Sequence, residues 1–169
     1  LVRYAVAHGH RRIGFIHGER TAVTENRLVG FYRACEEAGL DIPDEYVREA
    51  AYHDPDGCCR VTNEMLDLPE RPTCILFPDD FSYIGGVNAI QKRRLRIPGD
   101  ISAIGYDGIR LSQVVSPRLT TWQQDTKALG QTAAAKLVQL IENPRTTLPE
   151  VVTIPGQLLE GGSVATLRP

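Results

Sequence analysis

The stretch 72-PTCILFPDDFSYIGGVNAIQKRRLRIPGDISAIGYDG-108 decides the fold. Its two apolar runs, 73–77 and 101–105, each predict a buried strand, and the residues between them, 81–94, predict a helix. A strand–helix–strand unit of this kind joins two parallel strands of one sheet. Because the two runs are apolar throughout rather than alternating, the sheet should be covered by helices on both faces.

The same alternation of strands and helices continues on both sides of this unit. The chain therefore predicts an α/β fold in which a parallel sheet is flanked by helices on both faces. The further predicted elements are a helix ending at Gly9, strands over 12–16, 47–52, 151–155 and 157–160, and helices over 25–39, 56–68 and 127–143.

Composition narrows the class of protein. The 169 residues carry a net charge of -2 and have an isoelectric point near 6.1, so this segment lacks the basic surface that binds a phosphate backbone. No apolar run reaches the roughly 18 residues that a membrane span needs. The spacing of the four cysteines favours neither a zinc site nor a disulfide framework, and Cys35 and Cys74 lie in apolar runs typical of a core. A reducing, cytoplasmic location fits these features.

Polar and aromatic side chains follow the predicted strands. Tyr52, Asp79 and Asp107 each come where a strand ends, and Arg27 follows the loop after the first strand. Ligands of open parallel sheets bind beyond the carboxyl ends of the strands, so these side chains should share one edge. Carboxylates accept hydroxyl hydrogen bonds, a guanidinium donates in a fork and a ring packs on a sugar or base, which suits a polyhydroxylated ligand.

Structural interpretations of some of these residues stay open. Asp56 and Asp80 each precede a predicted helix and would cap it. Tyr52 could belong to the core, and Arg27 could be a solvated surface residue. Phosphate-loop, dinucleotide and nucleophile-elbow motifs are lacking, and catalytic residues and cofactors are not predicted. The acidic pair in "FPDD" still leaves a Mg²⁺-dependent enzyme or phosphoacceptor built on Asp79, Asp80 and Asp107 as an alternative.

Five segments together resemble one known family. "AVAHGHRRIGFIHG", "ENRLVGFYRACEEAGL", "PTCILFPDD", "RIPGDISAIGYDG" and "SPRLTTWQQDTKALGQTAAAKL" follow one another as in the C-terminal effector-binding half of lac/galactose repressor family transcription regulators. The resemblance covers essentially the whole chain. It implies a periplasmic-binding-protein-like fold and a function in sensing a small effector, expected to be a sugar, for a regulator that binds operator DNA.

The resemblance also implies a division of the chain. Residues 1–124 resemble the C-terminal lobe, 125–155 the segment that returns to the N-terminal lobe, and 156–169 a tail strand that comes back to the C-terminal lobe. The DNA-binding headpiece and most of the first lobe are expected to lie upstream. Helix 127–143 would then lack its usual neighbour, and we expect its apolar stripe to pack against its own lobe or a neighbouring chain.

The resemblance assigns ligand-binding roles to five residues. Arg27 matches an arginine that clasps hydroxyl or carboxylate groups, Tyr52 an aromatic position that packs on the ligand, and Asp107 the acid that accepts ligand hydroxyls. Gln124 matches a polar cleft residue, and Asp79 stands where the family often has Asn or Ser. Two departures are Gly108, where a second acid is common, and Gly161, where an arginine is usual and whose absence would weaken the anchoring of the tail.

The resemblance further implies a homodimer, with segments 81–93 and 109–116 in the contact, and no membrane partner. A second hypothesis is a solute-binding protein of transport or chemosensing with the same fold. A signal peptide rather than a helix-turn-helix at the start of the gene would favour that hypothesis, whereas the "GHRRI" motif and the cysteines favour the repressor.

Overall fold

The computed structural model describes residues 1–146, 148 and 150–168 and shows an α/β fold. Residues 147, 149 and 169, which fall in the predicted returning segment and tail, lie outside the described residues. The helices are α1 (Val2–Ala7), α2 (Ala22–Glu37), α3 (Pro55–Leu66), α4 (Tyr83–Lys92) and α5 (Thr126–Glu142), with 3₁₀ turns at Asp44–Tyr46 and Arg110–Gln113. The strands are β1 (Ile13–His17), β2 (Val47–Glu49), β3 (Cys74–Leu76), β4 (Ser102–Asp107), β5 (Thr120–Gln123) and β6 (Gln157–Leu159).

A six-stranded sheet organises the molecule, in the order β2-β1-β3-β4-β5-β6. The first five strands are parallel, and β6 pairs antiparallel with β5. The predicted parallel sheet is therefore confirmed. The prediction missed β5, and it was wrong about 151–155, which forms no strand.

Two hydrophobic clusters cover the two faces of the sheet, because neighbouring residues of a strand point to opposite sides. Ile75 of β3 packs with α3 and α4, whereas Cys74 and Leu76 pack on the other face with α1 and α2. This explains why the predicted strands read as continuous apolar runs. Burying these side chains stabilises the fold by roughly 1.5–3 kcal/mol for each large one.

Polar side chains fix where the helices begin. The Thr21 hydroxyl accepts from the Thr24 N–H at the start of α2, and the Asp54 carboxylate accepts from the Gly57 N–H at the start of α3. The predicted cap at Asp56 was wrong because Pro55 occupies the first position of α3, which moves the cap to Asp54. Both caps lie in loops that leave the carboxyl ends of strands, β1 and β2, and so at the carboxyl edge of the sheet.

Helix α5 stands apart from the two clusters. None of its residues is buried, and Ile141 is 70% exposed. Of the two expected partners of α5, its own lobe does not bury it in the single chain, and packing against a neighbouring chain stays a prediction. Its apolar side chains are available to another surface.

Several hydrogen bonds hold the tail, although glycine stands at position 161 where the resemblance implies an arginine. The Ser163 hydroxyl donates to Ala103 O and accepts from the Thr120 N–H, and the Gly161 N–H donates to the Thr120 hydroxyl. A Cβ at Gly161 would lie 2.2 Å from Arg118 O, so the glycine permits this close approach. Backbone contacts and Ser163 anchor the tail without an arginine.

Candidate functional site

The carboxyl edge of the sheet gathers most of the predicted site residues. Arg27 comes from the second turn of α2, Tyr52 from the loop after β2, Asp107 from the end of β4 and Gln124 from the residue after β5. The guanidinium of Arg27 lies near the Tyr52 ring and acts electrostatically on Asp107. The predicted convergence of a guanidinium, a ring and a carboxylate is present in the structure.

Arg27 is held by two aromatic rings and one carbonyl. Its Cζ lies 3.7 Å from the centre of the Tyr106 ring and 5.4 Å from that of Tyr52, and its Nη1 donates to Pro78 O at 2.8 Å. A guanidinium has five N–H donors, so most of its donors remain for a ligand. Stacking and the carbonyl bond fix its plane in advance, which lowers the entropy cost of binding.

Tyr52 is oriented from both of its ends. Its phenol lies 3.0 Å from the Thr24 hydroxyl, and its backbone N–H donates to Glu19 Oε2 at 2.9 Å. The ring lies directly on Gly18, where an added Cβ would overlap it. Tyr52 therefore lies at the edge of the sheet rather than in the core, half-buried, with a fixed ring position.

Asp107 is the most unusual residue of the site. It ends β4 with a φ of 105°, a conformation that non-glycine residues rarely adopt and that often occurs at functional sites. Its Oδ1 accepts from Gln124 Nε2 at 2.6 Å, while no hydrogen bond is found for Oδ2 among the described residues. Burial raises the pKa of this carboxyl, and the bond from Gln124 and the charge of Arg27 oppose that rise.

Asp79 is placed differently from the other four predicted residues. Its side chain is 1% exposed, and its two oxygens accept from the His53 N–H, the Ser82 N–H and the Ser82 hydroxyl at 2.7–3.0 Å. Both oxygens are used within the protein. Asp79 therefore braces two loops within the protein, and its direct contact with a ligand stays a prediction.

The sequence suggested that Asp80 caps α4, but the structure shows no such cap. Its carboxylate is 2% exposed and accepts from the Thr121 hydroxyl and the Ile109 N–H. Burial raises the pKa of Asp80, and these two hydrogen bonds oppose the rise. Asp80 thus ties the end of β3 to β5 and to the turn after β4.

A metal site is not supported by this arrangement. In residues 1–146, 148 and 150–168 no group of three or more His, Cys, Asp or Glu side chains could hold a metal ion. The four cysteines are free, and burial raises the pKa of Cys35 to about 11 and that of Cys58 to about 12. Cys35 and Cys74 lie in the core as predicted.

Several residues of this edge are not among the five that were assigned ligand-binding roles. Tyr106 under Arg27, Thr24 and Glu19 around Tyr52, and the neighbouring rings of His53 and Phe81 all lie there. Tyr106, Glu19 and His53 each follow a predicted strand, so their place at this edge agrees with the sequence pattern. The placement of Thr24 and Phe81 depends on loop geometry that the sequence pattern does not reveal.

None of the helices in the described part of the chain combines the length and apolar character that a bilayer span requires.

Comparison with known proteins places the chain in a family. Residues 2–164 match the model of the periplasmic binding protein-like domain. An HTH-type transcriptional repressor PurR from Shigella sonnei is 36% identical over 164 residues, which are 96% of this chain and 48% of the relative. The chain thus spans about half the length of the curated relatives it matches.

Solved structures agree in fold. A LacI transcriptional regulator from Bacillus cereus subsp. cytotoxis superposes with a TM-score of 0.93 at 29% identity, over 99% of this chain and 59% of that one. A LacI family regulator from Enterococcus faecium with bound ribose gives 0.86 at 26% identity, over 99% and 61%. The chain belongs to the periplasmic binding protein-like domain family, and its relatives within that family are LacI-family transcriptional regulators.

Proposed function

We propose that this chain is the effector-sensing part of a DNA-binding transcription regulator, with a sugar or a related polyhydroxylated molecule as effector. The observation that carries this proposal is the edge formed by Arg27, Tyr52 and Asp107, in which guanidinium donors, a fixed ring and a free carboxylate oxygen meet. The ribose-bound structural neighbour and the repressor relative support it. The chain would act in the cytoplasm, without catalysis, and would reach operator DNA only through another part of the protein.

The proposed mechanism couples effector binding to the arrangement of two lobes. Gln124 contacts Asp107 through its side chain and its backbone, and α5 begins two residues later. An effector that binds one arrangement more tightly shifts the equilibrium by its difference in affinity. Residues 125–155 would form the segment that returns to an N-terminal lobe, with the apolar residues of α5 buried there, and 1–124 and 156–169 would form the C-terminal lobe.

A homodimer is the proposed assembly. A groove of about 500 Å³ lies between α4 and the 3₁₀ turn at Arg110–Gln113, and most of its lining residues belong to the two segments expected to form the contact. Leu111 and Val114 of this region are exposed large apolar side chains. A symmetric pairing through this groove would bury them in both copies.

A solute-binding protein with the same fold is the second candidate, because the edge described above would also suit a transported sugar. The repressor relative favours the first candidate. The Mg²⁺-dependent alternative loses support, because the carboxylates of Asp79 and Asp80 are occupied within the protein.

Calorimetric titration of the complete protein with a panel of sugars tests the proposal. For a sugar that binds, Arg27→Ala and Asp107→Ala should each weaken binding by roughly ten- to a hundredfold, since a charge-assisted hydrogen bond contributes ~1.5–3 kcal/mol. Arg33→Ala, on the same helix as Arg27 but in an exposed ion pair, is the matched control. Unchanged affinity in both site variants would remove these residues from the site.

A further inference from the structure

Asp79 joins two loops of the candidate site. Its Oδ1 accepts from the Ser82 N–H, and its Oδ2 accepts from both the Ser82 hydroxyl and the His53 N–H. Ser82 precedes the first turn of α4, and His53 lies between β2 and α3. One buried carboxylate therefore fixes the start of α4 and the backbone of His53 at the same time.

His53 is held in a backbone conformation that a non-glycine residue seldom adopts. Its φ is 57°, in the left-handed region, which costs most non-glycine residues roughly 1–2 kcal/mol. The hydrogen bond from its N–H to Asp79 Oδ2, at 3.0 Å, offsets this cost. His53 is exposed at the surface and is the next residue in the chain after Tyr52.

The imidazole of His53 has an aromatic neighbour. Its ring centre lies 6.3 Å from that of Phe81, with 40° between the planes, and Phe81 is 42% exposed. The imidazole of His53 also influences the pKa of two carboxyl groups of the site, those of Glu19 and Asp107. The bond from the Tyr52 N–H is the main cause of the lowered pKa of Glu19, and His53 adds to it. Burial raises the pKa of Asp107, and His53 opposes this rise.

We propose that Asp79 is a positioning residue that holds His53 beside Phe81, and that these two rings form an outer aromatic wall of the effector cleft, packing on one face of a carbohydrate ring. This inference rests on the proposed function. Aromatic rings pack against the apolar face of a sugar, and an imidazole nitrogen can in addition exchange a hydrogen bond with a hydroxyl.

The carboxylate of Asp79 accepts from three donors, which an amide side chain could not do in the same way. An asparagine has one acceptor oxygen and one NH₂ group, which is a donor. If that oxygen takes the place of Oδ1, the NH₂ group faces the His53 N–H, and if it takes the place of Oδ2, the NH₂ group faces the Ser82 N–H; either way one donor meets another. Asp79→Asn should thus break one of the two backbone bonds that join His53 to the start of α4, and so loosen the hold on His53, while preserving the size of the side chain.

Calorimetric titration of the complete protein with D-ribose, D-galactose, D-glucose and cellobiose tests the inference. For whichever of these sugars binds, His53→Asn and Phe81→Ala should each weaken binding by about three- to tenfold. Asn tolerates left-handed backbone, so His53→Asn should fold. The matched controls are Arg94→Asn, at another left-handed position (φ 58°), and Tyr32→Ala, at an aromatic residue that is 45% exposed on α2.

A double substitution separates positioning from general destabilisation. Asp79→Asn should weaken binding as much as His53→Asn, and the variant with both changes should be no weaker than the worse single variant. Full additivity of the two changes, or sugar affinity unchanged in both His53→Asn and Phe81→Ala, would overturn the inference. Loss of binding in Asp107→Ala alone would leave the proposed function standing in that case. Absence of binding for all four sugars in the unsubstituted protein would count against the proposed function and the wall together.

Discussion

Replacing Arg27 by alanine should destabilise the fold as well as the site. The guanidinium lies 3.7 Å from the Tyr106 ring centre and donates to Pro78 O at 2.8 Å. A partly desolvated cation–π contact contributes ~0.5–2 kcal/mol, and a hydrogen bond from a charged donor ~1.5–3 kcal/mol. Since both groups regain water contacts on unfolding, we expect a net loss of about 2–3 kcal/mol in the free energy of unfolding.

Urea unfolding followed by the fluorescence of the single tryptophan, Trp122, measures this loss. Arg27→Lys should fall between the wild type and Arg27→Ala, because an ammonium keeps the charge but cannot stack as a plane. Arg33→Ala is the control: it removes an exposed i,i+4 pair with Glu37 and should cost under about 0.5 kcal/mol. A loss for Arg27→Ala no larger than that of the control would refute the idea that Arg27 is anchored in advance of ligand binding.

Three further changes have defined outcomes. His10 is buried between the Thr73 hydroxyl and a tail carbonyl, and burial lowers the pKa of its imidazole. The contribution of His10 to stability should be complete above about pH 6.5 and be lost as the pH falls through the lowered pKa. Acid should therefore reduce the melting temperature less in His10→Gln than in the wild type. Gln124→Leu should raise the pKa of Asp107 further, measured by NMR titration of the carboxyl carbon, and an unchanged pKa would exclude the bond. Gly161→Ala should cost ~1–3 kcal/mol, because its Cβ would meet a carbonyl, and a melting temperature within about 2 °C of the wild type would contradict this.

The sheet and its edge could be predicted because their signals are local. The apolar runs at β1, β3 and β4 and the residues that follow them are sufficient to locate Asp107, and parallel pairing brings the strand ends together. β5 was missed because "TTWQ" lacks a long apolar run and follows Pro117 closely; it is a strand because β4 and β6 pair with it. Such pairing is a tertiary effect that overrides weak local preference.

The roles of Asp79 and Asp80 could not be predicted from the sequence. Asp79 and Asp80 are adjacent in sequence, yet one braces the loop after β2 and the other braces β5. Which donors satisfy a buried carboxylate depends on loops from distant parts of the chain, and a sequence pattern contains no information on their final distance. The apolar stripe of α5 was recognisable from the spacing of its residues, but the sequence does not identify the surface against which that stripe packs.

The attachment of α5 has a mechanical consequence. Only Asp125 separates the helix from Gln124, whose backbone N–H and side-chain amide both contact Asp107. A 17-residue helix is about 25 Å long, so it can serve as a lever arm pivoting at its first turn. A tilt of about 10° at that pivot would carry the far end through about 4 Å, so that a small displacement next to one carboxylate becomes a movement as large as the diameter of a methyl group.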